Sequence, residues 1–521
     1  MFRTTLVIFI VMVSIALFAQ TAVAPSAGDG TENDPYQIES LENLYWIAAN
    51  NDVIPDPDQE TRWQSYYIQT ADIDATDTEN WFAGAGWKPI GNYTFVSEPL
   101  PFSGVYDGQN YSIDGLYIFH LNDEAIGFFG YSNDAIIKNM EIINAEITAL
   151  GRIGILIGYN DDSTVDNCSV SGSVIGNTIV GGMIGENRRS VVKNSNSDIV
   201  VEGNIQSAGL IGRDHRSWVM QCNSTGTVQG NSVAGGLIAA SYESIIHESY
   251  SSVEVNGNHT IGGLVGNANT AIIKESYNTG YVSGSSQIGG LAGSIYRSTI
   301  RNCFSTGGVN GNLDSVGGLI GQISSGMIYN SYSTGSVLGE GDTVGGLLGG
   351  GYGISAVSSY WNIETSGQDE SIGGEGRNTE EMTYPYAENI YEGWDFVEIW
   401  TADEDYSVNN GYPYFSEIPV SADDDLVTIT PGIQTYNFPN PFNPETNISF
   451  SLQDRAHITV EIFNVRGQRV NTILDNEKAA GTHIISWNGK DENGNRLSSG
   501  IYFYQISSDD DVAAGKMMMI K

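Results

Sequence analysis

Gly262-Gly-Leu-Val-Gly266, Gly289-Gly-Leu-Ala-Gly293, Gly317-Gly-Leu-Ile-Gly321 and Gly345-Gly-Leu-Leu-Gly349 decide the fold. Looser copies of the same five-residue frame start at Ile126, Gly154, Gly181, Ala208 and Gly235, and the nine starts are 27 or 28 residues apart. A period with so little drift means stacked repeats, each burying its apolar face only against its neighbours. Between the frames lie stretches such as Asn330-Ser-Tyr-Ser-Thr-Gly-Ser-Val-Leu-Gly339 and Glu275-Ser-Tyr-Asn-Thr-Gly-Tyr-Val-Ser-Gly284. They are rich in Ser, Thr, Val and aromatics, which suits short strands and tight turns and not helices. The expected fold is therefore all-β: a parallel β-helix of about nine coils of 27–28 residues, closed by caps.

Stacking aligns residues one period apart. Phe129, Ile157, Ile184, Ile211, Ile238, Val265, Ala292, Ile320 and Leu348 are expected to form one aliphatic row. Tyr250, Tyr277, Phe304, Tyr332 and Tyr360 form an aromatic row, read first as packing and second as a sugar-stacking surface. The frame glycines are expected at corners, where they would let the backbone turn with positive φ. Cys168, Cys222 and Cys303 are 54 and 81 residues apart, two and three periods, so they occupy one position in different coils. Coils about 4.8 Å apart hold such cysteines out of disulfide reach, and they read as small buried fillers.

The repeats resemble the GLUG motif of secreted bacterial proteins, over roughly Ala125 to Trp361. That resemblance implies a β-helical stalk or adhesive surface. It does not itself imply catalysis.

The flanks divide the chain further. Residues 1–24 read as a signal peptide: Arg3, an apolar run from Leu6 to Ala19, then small residues. Residues 25–124 read as an N-terminal cap and first coils, in which Ser40 caps a helix carrying Leu41, Leu44, Tyr45 and Ile47. Residues 125–361 hold the repeats, and 362–420 read as a C-terminal cap, with Trp394, Trp400, Tyr412 and Tyr414 expected over the last coil. Residues 421–433 are an acidic linker, and 434–521 alternate like seven short strands of an immunoglobulin-like sandwich. This last module resembles the Ig-like domain of the flagellar hook-capping family and the C-terminal sorting domain of the type IX secretion system. The residues that carry the resemblance are Asn440, Pro441, Phe442, Asn443, Pro444, Gly467, Gly500, Tyr502, Lys516 and Lys521, among others. It implies export through outer-membrane secretion machinery as a partner, and a secreted or cell-surface location.

The net charge is −40, from 62 acidic and 22 basic residues, which disfavours nucleic acid and anionic lipid as partners. No segment after the signal peptide is apolar enough for a transmembrane span. Searches for chemistry find fragments only. Asp161-Asp162 follows Asn160 rather than Gly, without the other carboxylates and the Gly-His-Gly of polygalacturonase-like enzymes. His247-Glu248 lacks the second histidine of a metallopeptidase helix. Asp491 to Asn495 spaces oxygen ligands but lacks the later Gly and Glu of an EF-type loop, and it reads as a hairpin turn. No cofactor is expected, and Ca²⁺ at most as an adventitious ion.

The nearest break in the repeat is a local basic patch, Arg188-Arg189 and Arg213 to Arg216, a candidate binding site for an anionic sugar. The expected function is a non-enzymatic adhesin or glycan-binding structural solenoid. The alternative is a carbohydrate-active β-helix enzyme, a lyase or a hydrolase, with an unrecognised site.

Overall fold

The computed structural model describes residues 20–93, 98–121, 124–415, 434–438, 442, 445–452, 455–464, 469–479, 481–492, 494–508 and 512–519. The signal-peptide reading falls mostly on residues 1–19, and the linker reading on 421–433; both lie outside the described residues. Two compact units are present, Met1–Ser416 and Glu417–Lys521.

The first unit is a parallel β-solenoid. One coil shows the plan: Val233–Gly235, then Ile238–Tyr242, Ile245–His247, and the short pair Tyr250–Ser251 and Glu254–Asn256. Each strand pairs in parallel with its counterpart 27 residues on, as in Val233 with Thr260, Ile238 with Val265 and Ile245 with Ile272. Among the described residues, one long face has 12 strands, two others have nine each, and the short pairs belong to a fourth sheet of 17 strands. Three strands of the long face, Tyr36–Ile38, Tyr66–Gln69 and Val105–Asp107, precede the nine frames.

The expected aliphatic row is observed residue by residue. Phe129, Ile157, Ile184, Ile211, Ile238, Val265, Ala292, Ile320 and Leu348 follow one another in register, and all are buried. At the N-terminal end, Ser40 accepts a hydrogen bond from the Asn43 N–H and opens the helix Leu41–Ala48, as its position predicts.

The glycines sit there for a different reason from the expected one. The second and third faces meet at each frame, and the frame glycines are absent from the positive-φ positions. A Cβ on Gly262 would stand 2.0 Å from the Val265 carbonyl oxygen and 2.6 Å from the Gly293 nitrogen. Close approach of backbone from the same coil and from the next therefore excludes side chains there. The left-handed corners belong instead to polar residues. Asn167, Asn194, Gln221, Glu248 and Glu275 have φ of 51°, 50°, 52°, 47° and 50°, and a second column runs through Asp162, Arg189 and Arg216. Asn takes this conformation most readily among non-glycine residues.

The aromatic row is a stack, with ring centres 5.0, 4.7 and 5.1 Å apart from Tyr250 to Tyr332 and planes within 7° of parallel. Each interior ring has both faces covered by its neighbours, so the row offers edges rather than platforms to a sugar. Trp394, Trp400 and Tyr412 do not simply cover the last coil. They pack along the flank of this row, reaching back to Phe304 and Tyr332. The Tyr332 hydroxyl donates to the Pro413 carbonyl at 2.6 Å. The last coil is met by the preceding stretch: Glu375–Arg377 pairs with Tyr360–Asn362, and the Leu348 N–H donates to Ser371 Oγ at 2.9 Å.

The three cysteines are buried and free. Burial pushes each thiol up to about 12. In the same column the Ser195 hydroxyl donates to the Lys193 carbonyl and accepts from the Cys168 N–H on the preceding coil.

Among its described residues, the second unit has seven strands in two antiparallel sheets. Gln434–Phe438, Thr446–Leu452 and Gly481–Trp487 form one; Arg469–Lys478, Ala456–Asn464, Gly500–Ser507 and Val512–Met519 form the other. Phe442, Ile448, Trp487, Tyr504 and Met517 are among its buried core. This is the expected Ig-like sandwich. The Asp491 segment closes on itself: Lys490 bridges Arg496, and Asp491 Oδ1 accepts from the Asn495 N–H at 2.8 Å.

Candidate functional site

The frame's second strand presents alternate residues outward, and two adjacent strands put Tyr131 and Tyr159 in register. Their rings stack at 5.2 Å, and Tyr93 meets both edge-on, at 5.5 and 5.0 Å. The Arg152 guanidinium lies 5.2 Å from the Tyr93 ring centre and 5.3 Å from that of Tyr159, a cation–π arrangement. Its charge is held between Glu124, at 3.8 Å, and Glu186, which it contacts directly.

Two residues further along the same strands, Asp161, Arg188 and His215 share a register row. Arg188 Nη1 donates to the Tyr159 hydroxyl at 3.4 Å. Arg189, on a left-handed corner, donates to Asp161 Oδ2 and Asp162 Oδ1, each at 2.8 Å. Burial, more than the opposing pull of Arg189, holds the Asp161 carboxyl above the usual carboxylate range. Burial pushes the Tyr131 phenol up to about 12, with the Asp161 charge adding to it. Two buried polar atoms here, Asp161 Oδ1 and Arg188 Nε, have no hydrogen-bond partner among the described residues. Such atoms call for a water or a ligand hydroxyl. The site thus combines an acceptor and a donor, both buried and unsatisfied, beside a buried aromatic pair.

The basic patch is distributed differently from a free cationic surface. Arg189 is neutralised by two aspartates, and Arg216 donates to Glu243 at 2.8 Å. Arg213 donates to Gln206 at 2.9 Å and pairs in register with Glu186. The structure brings Arg188 and Arg189 together with the tyrosine cluster and leaves Arg213 and Arg216 on the following coil.

Beneath this surface runs a buried polar row. Ser132 donates to Asn160, Asn160 to Asn187 and Asn187 to Asp214, at 2.7, 2.7 and 2.8 Å. Asp214 is fully buried, and its carboxyl is pushed up to about 6, by burial first, against the hydrogen bonds it accepts.

Sequence reasoning missed a second cluster. His247 Nε2 lies 2.8 Å from Glu275 Oε2 and 3.2 Å from Glu248 Oε1. The signal was present: His247 and Glu275 are 28 residues apart, one coil plus one position, whereas metal-ligand motifs read in sequence place their residues close together.

In the second unit, Phe442 and Tyr502 of the sorting signature are core residues. The Tyr502 hydroxyl donates to the Ser498 carbonyl at 2.8 Å, and Phe442 sits 5.5 Å from the Trp487 ring. Gly500 opens its strand, and Lys516 lies on the last one. Asn440, Pro441, Asn443, Pro444, Gly467 and Lys521 lie outside the described residues.

Comparison with known proteins agrees with both halves. The GLUG motif is matched over residues 284–310, and the FlgD Ig-like domain over residues 438–511. The chain carries a GLUG motif and a FlgD-type Ig-like domain. It is 35% identical over 159 residues to halomucin of Haloquadratum walsbyi, covering 30% of this chain and 2% of halomucin. It is 31% identical over 172 residues to a protein of Evansella cellulosilytica named as a Gly-rich membrane protein, covering 31% of this chain and 18% of that one. Among solved structures, a Bacteroides ovatus protein described as an immunoglobulin A1 protease is similar over 75% of this chain and 95% of its own, at 17% identity and a TM-score of 0.34. An IgA1 protease is similar over 66% of this chain and 23% of its own, at 15% identity and a TM-score of 0.35. Similarity at that level carries no argument about activity. Among the described residues, no helix is long and apolar enough to cross a membrane.

Proposed function

We propose that this chain is a secreted or cell-surface solenoid that binds glycans as an adhesive or structural protein and is exported through its C-terminal Ig-like domain. The observation that carries the binding reading is the pair of unsatisfied buried atoms, Asp161 Oδ1 and Arg188 Nε, on a stretch of outer face that gathers three tyrosines and three arginines. Sugar hydroxyls donate to such a carboxylate and accept from such a guanidinium. The relative named as a Gly-rich membrane protein supports a setting at the cell envelope. Export through outer-membrane machinery rests on the C-terminal FlgD-type domain and its likeness to sorting domains.

A second reading, a polysaccharide lyase or hydrolase, draws on Asp161, because a buried carboxyl held above its usual range is what a general acid needs. Against it, Asp161 and Asp162 share one arginine, so they do not flank a space where a glycosidic bond would lie. The two readings separate on polysaccharides that the protein binds. Binding with no new reducing ends and no unsaturated product supports the adhesive reading, and either product overturns it.

A further inference from the structure

We propose that His247, Glu248 and Glu275 form a binding site for a divalent transition-metal ion of the zinc type. One imidazole nitrogen and two carboxylate oxygens, drawn from two successive coils, all lie within 4.8 Å of one another. Nε2 stands 2.8 Å from one oxygen and 3.2 Å from the other. The edge of a tetrahedron whose bonds are about 2.0–2.1 Å long is about 3.3–3.4 Å, so the imidazole nitrogen need only part from the two oxygens by a few tenths of an ångström to take an ion. A nitrogen ligand beside two carboxylates selects zinc and its neighbours over calcium and magnesium, which prefer oxygen alone.

Two further observations point the same way. The left-handed corner column is filled by Asn139, Asn167 and Asn194 before the site and by Asn302 and Asn330 after it, with Gln221 at its edge. Glu248 and Glu275 replace the residue that suits this conformation, at φ of 47° and 50°, and the coil gains nothing in geometry from the exchange. Gln221 then donates through Nε2 to Glu248 Oε2 at 3.0 Å, which turns the other oxygen toward His247 and acts as an outer-shell support. The three side chains are about one-fifth to one-quarter exposed, which leaves the fourth position open to water. Lys274, in register with His247, and Arg301 beyond it also act on the cluster and offset the carboxylate charge. A bound ion would pin the two coils together at this edge.

The test is a Zn²⁺ titration of the full chain by calorimetry, with Ca²⁺ in large excess to fill the oxygen-only sites that so acidic a protein offers. We expect a single site that calcium does not displace. His247→Gln or Glu275→Gln should weaken it by more than tenfold, and Gln221→Ala by about tenfold, with unchanged melting curves. Cobalt(II) on the unmutated chain provides a readout independent of any variant, and it should give the intense visible bands of a four-coordinate ion. A wild-type chain without a calcium-resistant site, a His247→Gln chain that binds as well as wild type, or a weak octahedral cobalt spectrum would each overturn the proposal.

Discussion

Gly262→Ala and Thr270→Gly, eight residues apart in one coil, test why the glycines are there. The Gly262 Cβ would stand 2.0 Å from the Val265 carbonyl oxygen and 2.6 Å from the Gly293 nitrogen, where ordinary contact begins near 3.4 Å. Both colliding atoms are backbone, on the same coil and the next, so no rotamer change relieves the clash. The cost is at or above the upper end of overpacking, about 3 kcal/mol. Thr270 is a β-branched residue at φ 55° on an exposed corner. Glycine there releases about 1–2 kcal/mol of left-handed strain and gives back up to about 1 kcal/mol in unfolded-chain entropy. The expected result is neutral or mildly stabilising. A solenoid unfolds by neighbouring units rather than as one, so the assay is native-state hydrogen exchange of the amides in this coil, read by mass spectrometry. If Gly262→Ala costs less than about 1 kcal/mol, or if Thr270→Gly costs as much as Gly262→Ala, the close-approach argument fails.

Asp214 makes stability depend on pH. Its folded value of about 6 lies above the ordinary 3.8, so the folded chain holds the proton more tightly. The penalty is present in full above pH 6 and fades as the pH falls toward 4, by about 3 kcal/mol. Asp214→Asn should remove that slope in urea melts between pH 4 and 7, and an unchanged slope would refute the assignment. Phe442→Ala should cost about 3–5 kcal/mol and abolish the urea transition of the Ig-like unit while the solenoid's transition stays put; two unchanged transitions would remove Phe442 from the core. Deleting Asn437 to Lys521 should leave the solenoid's far-ultraviolet dichroism intact and hold the protein in the periplasm, whereas normal surface display would sink the sorting assignment.

The solenoid was legible because its period fixes register: a row such as Phe129 to Leu348 is one list read at intervals of 27 or 28 residues. The cause of the glycines was not legible, since a repeated Gly serves equally for a left-handed corner and for a close approach. Only the neighbouring backbone at Gly262 decides between them. The sequence places Trp394 and Trp400 over the last coil, whereas they lie along the flank of the aromatic row, because nothing in their spacing says which surface of the solenoid they meet. At the candidate site, Arg188 and Arg189 stood out as a break in the pattern. Their partners, Tyr159, Asp161 and Asp162, lie one coil back, where nothing in the local sequence joins them to the arginines. The His247–Glu275 contact escaped for the same reason: a search for ligands close in sequence passes over neighbours one coil apart.

The most direct test of the binding account is a glycan array probed with the full chain and with Asp161→Asn and Arg188→Met, each matched to wild type by melting temperature. Binding by the wild type that both variants lose, with the bound glycan left uncut, is the predicted result. Equal binding by all three proteins, or cleavage of the bound glycan, would contradict it.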